Sequence, residues 1–144
     1  MRIICWLIFI ITNFCILFVF TPKFERANVI KVFGALVPAL IVLAVLVMLL
    51  MKMVGLRPDA HVKEIFFSTL MALVVLVMIN LFNQLFFRMV DEVLAFHQKN
   101  NSANLGRQPL KFMIQNQMNI KRAATIIWFL GSTLMFYGIW LGDK

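Results

Sequence analysis

Residues 65–87 read IFFSTLMALVVLVMINLFNQLFF, a stretch without Asp, Glu, Lys or Arg, closed by Glu64 on one side and Arg88 on the other. A hydrocarbon slab roughly 30 Å thick takes about 20 helical residues. A charge at its centre costs at least ~2.5 kcal/mol, so charges mark where such a stretch ends. The pattern occurs three more times. Residues 3–22 lie between Arg2 and Lys23, residues 32–51 between Lys31 and Lys52, and residues 123–142 between Arg122 and Asp143. The expected fold class is therefore an all-α membrane protein with four transmembrane helices in an up-down bundle. The helices are expected over residues 3–22, 30–53, 62–98 and 109–142, with a loop tip at 99–108.

Composition agrees. The chain is 62% hydrophobic with a mean hydropathy of +0.92, far from the usage of a soluble domain. The longest polar connection, Arg88 to Arg122, is too short for a second domain, so residues 1–144 read as one integral membrane unit. The first apolar stretch ends in Phe18-Val19-Phe20-Thr21-Pro22, with no small-x-small cleavage site, and reads as a retained helix rather than a signal sequence. Cys5 and Cys15 are ten residues apart in one helix, roughly 15 Å, too far to bridge.

A net charge of +8 could point to nucleic acid. The basic residues sit at helix ends instead of on one face, so membrane anchoring is the reading and no nucleic-acid partner is expected. The first and third loops carry nine Lys and Arg, and the other side carries five. The positive-inside rule then places both termini outside and loop 88–122 in the cytoplasm. The inverted arrangement is the alternative, because Arg2 beside the first helix resists translocation. The expected compartment is a bacterial inner membrane.

The first loop is short enough to make helices one and two antiparallel neighbours. In the second, Gly55 reads as a helix stop and Pro58 as a bar to continuation. Past Arg88, Val90, Val93, Leu94 and His97 keep helical spacing, and Asn100 to Gly106 is turn-forming. Pro109 suits a helix start, followed by Leu110, Met113, Ile114 and Met118 at helical spacing. Helices three and four are thus expected to extend beyond the membrane as a helical hairpin. Lys99, Arg107, Lys111, Lys121 and Arg122 should lie where anionic headgroups or a cytoplasmic partner can meet them.

Helix three holds the densest intramembrane polarity. Asn80, Asn83 and Gln84, with Arg88 a turn on, form a face that must meet another helix, another subunit or water, because an amide in hydrocarbon needs a partner. Asn13 is the obvious internal partner, through a hydrogen bond between helices one and three. Gly34 and Pro38 on helix two mark a candidate close crossing or hinge, and Gly131, Gly138 and Gly142 on helix four a candidate self-association face. Trp6, Tyr137 and Trp140 fit an interfacial aromatic belt.

For chemistry the inventory is thin. His61 and His97 fall in loops on opposite sides, so no metal site is expected, and no phosphate loop or nucleophile motif is present. Neither a cofactor nor catalysis is expected. No Asp, Glu, Lys, Arg or His lies inside the charge-free stretches, which weighs against ion-coupled transport. The leading expectation is a small polytopic protein acting by non-enzymatic helix–helix interaction with a membrane partner, of accessory, regulatory, immunity or exclusion type. The alternative is a homo-oligomeric channel or pore lined by the polar face of helix three. Partners are then the lipid bilayer and another membrane protein, or a second copy of the chain.

Overall fold

The structure, a computed structural model, describes residues 1–21, 25–55, 59–100 and 105–142. The expected stop at Pro58, the turn-forming run 101–104 and the flanking charges Lys23, Arg57, Asp143 and Lys144 lie outside the described residues. Helix α1 spans Arg2–Phe14 and widens into a π-helical segment, Cys15–Phe20; α2 spans Arg26–Met53, α3 Ala60–Asn100 and α4 Leu110–Leu141. All four are long and apolar enough to cross a membrane. Among the described residues there is no strand. At 1.5 Å per residue, the 41 residues of α3 extend about 60 Å, twice what the slab requires.

Local chemistry accounts for the ends. Gly55 adopts φ +70° just past α2, and its N–H donates to the Lys52 carbonyl at 3.3 Å. Only glycine enters that left-handed region without a steric penalty, so the helix stops where the sequence places a Gly. Pro109 immediately precedes α4, and its carbonyl accepts the Met113 N–H at 3.1 Å. At the far end of α4, the Gly142 N–H donates to the Tyr137 carbonyl at 3.1 Å. A Cβ on Gly142 would stand 2.6 Å from the Gly138 carbonyl oxygen. The Gly138-x-x-x-Gly142 pair, read from sequence as a candidate self-association face, also stands at that helix ending.

Two departures from α-geometry fall beside polar side chains. In the π-helical segment, the Thr21 hydroxyl donates to the Ile16 carbonyl five residues back, a spacing that belongs to the wider helix. In α4, Asn116 has φ −111° and ψ 15°, and its side-chain amide donates to the Phe112 carbonyl at 3.1 Å. A side chain competing for a main-chain acceptor is a recognised cause of a helix bend. Pro38 lies inside α2, which runs through it as one element.

The most extensive packing is of α3 against α4 and α2, and of α1 against α4. This differs from the expectation that α1 and α2 would be antiparallel neighbours. They meet near their shared connection, around an apolar cleft lined by Ile16, Phe20, Val29 and Val32. A short loop fixes the separation of two helices only where it joins them. Arg2 pairs with Glu64, so the starts of α1 and α3 lie together. Arg26, at the start of α2, and Lys121 on α4 both pair with Asp91, well along α3.

The apolar core gathers at the end where α1 begins and α4 finishes. Ala72 and Leu76 of α3 meet Phe136 and Trp140 of α4. From α1, Phe9 lies tilted against Phe136 at 5.5 Å and stacks on Trp140 at 6.0 Å. Trp6 joins the same cluster and contacts Tyr137 edge-on at 6.4 Å. Burial is uneven: one third of the most apolar window of α3 is buried in the chain, against 6% for α2. Replacing the fully buried Phe136 by Ala should destabilise the protein by about 3 kcal/mol, while Leu134→Ala, at a side chain 73% exposed, should change little. Unfolding in mixed micelles measures both, and equal effects would contradict this packing.

Candidate functional site

Asn13, Asn80, Asn83, Thr125 and Ser132, within the charge-free stretches, do not face outward; they are hydrogen-bonded inside the chain. On α3, the Asn80 side-chain amide donates to the Asn13 carbonyl oxygen on α1 at 3.2 Å and to the Leu76 main-chain carbonyl at 2.8 Å. The Asn13 amide in turn donates to the Ser132 hydroxyl on α4 at 2.7 Å. Ser132 passes its own proton to the Phe129 carbonyl at 2.7 Å. Asn13, Asn80 and Ser132 are completely buried. One directional relay therefore joins three helices. It contains the α1–α3 hydrogen bond expected from Asn13, and adds Ser132, which the sequence reading had not singled out.

A turn further along, the Thr125 hydroxyl lies 3.3 Å from the Asn83 carbonyl oxygen and 3.0 Å from the Lys121 main-chain carbonyl. Gln84 is also buried, 3% exposed, yet among the described residues its amide takes part in no hydrogen bond. It borders a partly open cavity of about 580 Å³ whose other polar lining is Thr21, Arg26, Lys121, Arg122 and Thr125. Leu17, Phe18, Phe87 and Met118 form the apolar part of the wall. The π-helical segment contributes Leu17 and Phe18, so its wider turn shapes this cavity directly.

Beyond the cavity stands an ionic cluster. The Asp91 carboxylate accepts from Arg26 on one oxygen and from Gln117 and Lys121 on the other. The Phe87 ring lies beneath both cations, 5.7 Å from the Arg26 guanidinium and 5.8 Å from the Lys121 ammonium. Burial pushes the Asp91 pKa up, but the hydrogen bonds and charges of Lys121 and Arg26 outweigh it and hold the carboxyl below its ordinary range. Asp91 was legible in the sequence only as one flanking charge among many. Its partners lie 65 and 30 residues away along the chain.

The remaining candidates separate. Arg88 does not belong with Asn80 and Gln84: its side chain is 60% exposed and paired with Glu92 one turn on. Lys99, Arg107, Lys111 and Arg122 are exposed, whereas Lys121 is buried against Asp91 and is not part of that surface array. Gly34, Gly131 and Gly138 have nothing within 4 Å of where a Cβ would stand, so no helix of this chain crosses closely over them. Among the described residues no group of three His, Cys, Asp or Glu could hold a metal. Cys5 and Cys15 are free thiols.

These features define an all-helical chain with four potential membrane spans, a buried polar relay whose Asn80 carbonyl oxygen is left without a partner among the described residues, and an ion-lined cavity at one end. The chain matches no protein-family model, no curated protein and no solved structure.

A carboxyl whose folded pKa is lowered stabilises the fold above its unfolded pKa and loses that contribution as the pH falls through the folded value. The thermal midpoint should accordingly drop as the pH is taken from about 6 to about 3. Asp91→Asn should lower the midpoint at pH 7 and make that acid slope shallower. An unchanged slope would show that the Arg26–Asp91–Lys121 cluster carries no stability.

Proposed function

We propose that this chain is a non-enzymatic polytopic membrane protein that acts by lateral helix contact with another membrane protein, in an accessory, regulatory, immunity or exclusion role. In this reading the four helices cross a bacterial inner membrane in up-down order, with the termini outside. The ends of α3 and α4 project into the cytoplasm as a hairpin carrying Lys99, Arg107 and Lys111.

The observation that carries the proposal is how polarity and small residues are divided. In hydrocarbon, helices associate through close packing and interhelical hydrogen bonds, because lipid tails offer no hydrophobic gain. The hydrogen-bonding groups Asn13, Asn80, Asn83, Thr125 and Ser132 are used within the chain. Gly34, Ala35, Pro38 and Ala39, by contrast, are all exposed on α2, the helix that gives the chain least burial. They recur at four-residue spacing, so they share a face on which a foreign backbone could approach closely. Contact through this face replaces the earlier expectation of contact through Asn80, Asn83 and Gln84.

A channel lined by the polar face of α3 is the competing reading. It would require Asn80 and Asn83 to leave their partners on α1 and α4 and line a lumen shared between copies. The mass of the purified particle, with detergent subtracted, separates the two. The lateral-contact reading expects a monomer or dimer without ion flux in liposomes. A closed ring of four or more copies with flux would transfer the assignment to the channel. In the native host, Gly34→Leu combined with Ala35→Leu should abolish co-purification of the membrane partner without moving the thermal midpoint, and undiminished capture would contradict the α2 contact.

A further inference from the structure

The cavity bordered by Gln84 has a chemistry the helix packing does not use. Arg26, Lys121 and Arg122 bring three positive charges to its wall, and among the described residues the carboxylate paired with Arg26 and Lys121 is Asp91. The balance is two positive charges. Asp91 and the Phe87 ring hold Arg26 and Lys121 in place without occupying all their donors. A guanidinium has five N–H groups and an ammonium three. Arg122 is exposed, and among the described residues it has no ion-pair partner.

Gln84 supplies the second, independent observation. Gln84 is 3% exposed as a residue, lines the cavity and makes no side-chain hydrogen bond among the described residues. Its amide lies at the cavity with donors that the fold leaves unused, which a ligand with acceptor oxygens can take up. The site also has a defined depth. Arg26 precedes the charge-free run of α2, Lys121 and Arg122 precede that of α4, and Gln84 lies a turn inside that of α3. All three place the cavity at the boundary between hydrocarbon and headgroups. Leu17 and Phe18 offer apolar wall beside the cations.

We infer that this cavity binds the phosphate of one anionic phospholipid, with Arg122, Lys121 and Arg26 meeting the phosphate oxygens and the Gln84 amide donating to one of them. Charge-assisted hydrogen bonds to phosphate are short and strong, and basic pockets between membrane helices suit acidic headgroups. This site is distinct from diffuse attraction of a bilayer surface to Lys99, Arg107 and Lys111. It does not depend on the α2 contact, and its test uses the purified chain alone, so either proposal can fail without the other.

The delipidated full-length protein is titrated with phosphatidylglycerol and, separately, phosphatidylcholine in a neutral detergent, and bound lipid is counted by native mass spectrometry. Phosphatidylglycerol should be retained at least tenfold more tightly. Arg122→Gln should weaken that retention about tenfold without moving the thermal midpoint, because Arg122 is exposed and has no ion pair among the described residues. Gln84→Leu should weaken it similarly, and Gln84→Glu should abolish it by placing a negative charge against the phosphate. Equal retention of the two lipids overturns the proposal. So does a preference lost in Lys99→Gln/Lys111→Gln but kept in Gln84→Glu, which would mark diffuse surface attraction. If inorganic phosphate displaces phosphatidylglycerol at equal concentration, the cavity takes free phosphate and the lipid assignment is overturned.

Discussion

Inside a bilayer an amide cannot turn to water, so every Asn placed there must find a partner in protein. This chain has Asn13 near the end of α1 and Asn80 and Asn83 on α3: Asn80 donates to Asn13, Asn13 donates to Ser132 on α4, and Asn83 accepts from Thr125 on α4. Each interhelical bond of this kind contributes modestly, about 0.6 kcal/mol on average. The larger effect is on rotation. Turning one helix by a single residue, about 100°, would carry its polar side chain out of the relay and toward lipid. Three helices are thereby fixed about their own axes.

The other polar contacts follow from that setting. Eleven residues separate Asn80 from Asp91 on α3, and eleven separate Ser132 from Lys121 on α4. Eleven residues make about three full turns, so on both helices the relay and the ionic cluster fall on the same face, and the Asp91–Lys121 pair meets in register. Asn83 and Thr125 occupy the interval between them. The bundle is graded along its length: aromatic packing of Phe9, Phe136 and Trp140, then the amide relay, then the cavity beside Gln84, then the ions around Asp91. Helix α2 stands outside this series. Its main packing is on α3, tied at one end by the Arg26–Asp91 pair, and its small residues are left to the surroundings.

Much of this was legible in the residues. Charge-free runs locate helices because a charge in hydrocarbon is costly, and Gly55 and Pro109 mark ends because their backbones permit little else there. The Asn13–Asn80 bond was legible because both are strong hydrogen-bonding groups at matching depth. Ser132 was not. A serine in a helix can satisfy itself on its own carbonyls, as Ser132 does on Phe129, and so signals no demand for a partner. Asp91 was hidden for a different reason: acidic and basic residues at helix ends are the default, and nothing local distinguishes the one that binds three side chains. The exposed Arg88 shows the converse limit. Four-residue spacing brought it onto the face of Asn80 and Gln84 in sequence, yet one turn beyond the hydrocarbon boundary a charge pairs with Glu92 in solvent. Loop length likewise misled about α1 and α2, whose main packing is with α4 and α3.

The central claim is that the polar relay of Asn80, Asn13 and Ser132 is made within one chain. Phe14 on α1 and Phe129 on α4 flank the relay, with ring centroids 5.9 Å apart. With Cys5 and Cys15 replaced by Ala, Phe14→Cys and Phe129→Cys can be joined in native membranes by a short bis-thiol reagent, and the product separated by mass after proteolytic cleavage in the long loop. The account predicts a cross-link within one chain, with the two cleaved halves remaining together at monomer mass. Cross-links running mainly between chains would place α1 of one copy against α4 of another and contradict it.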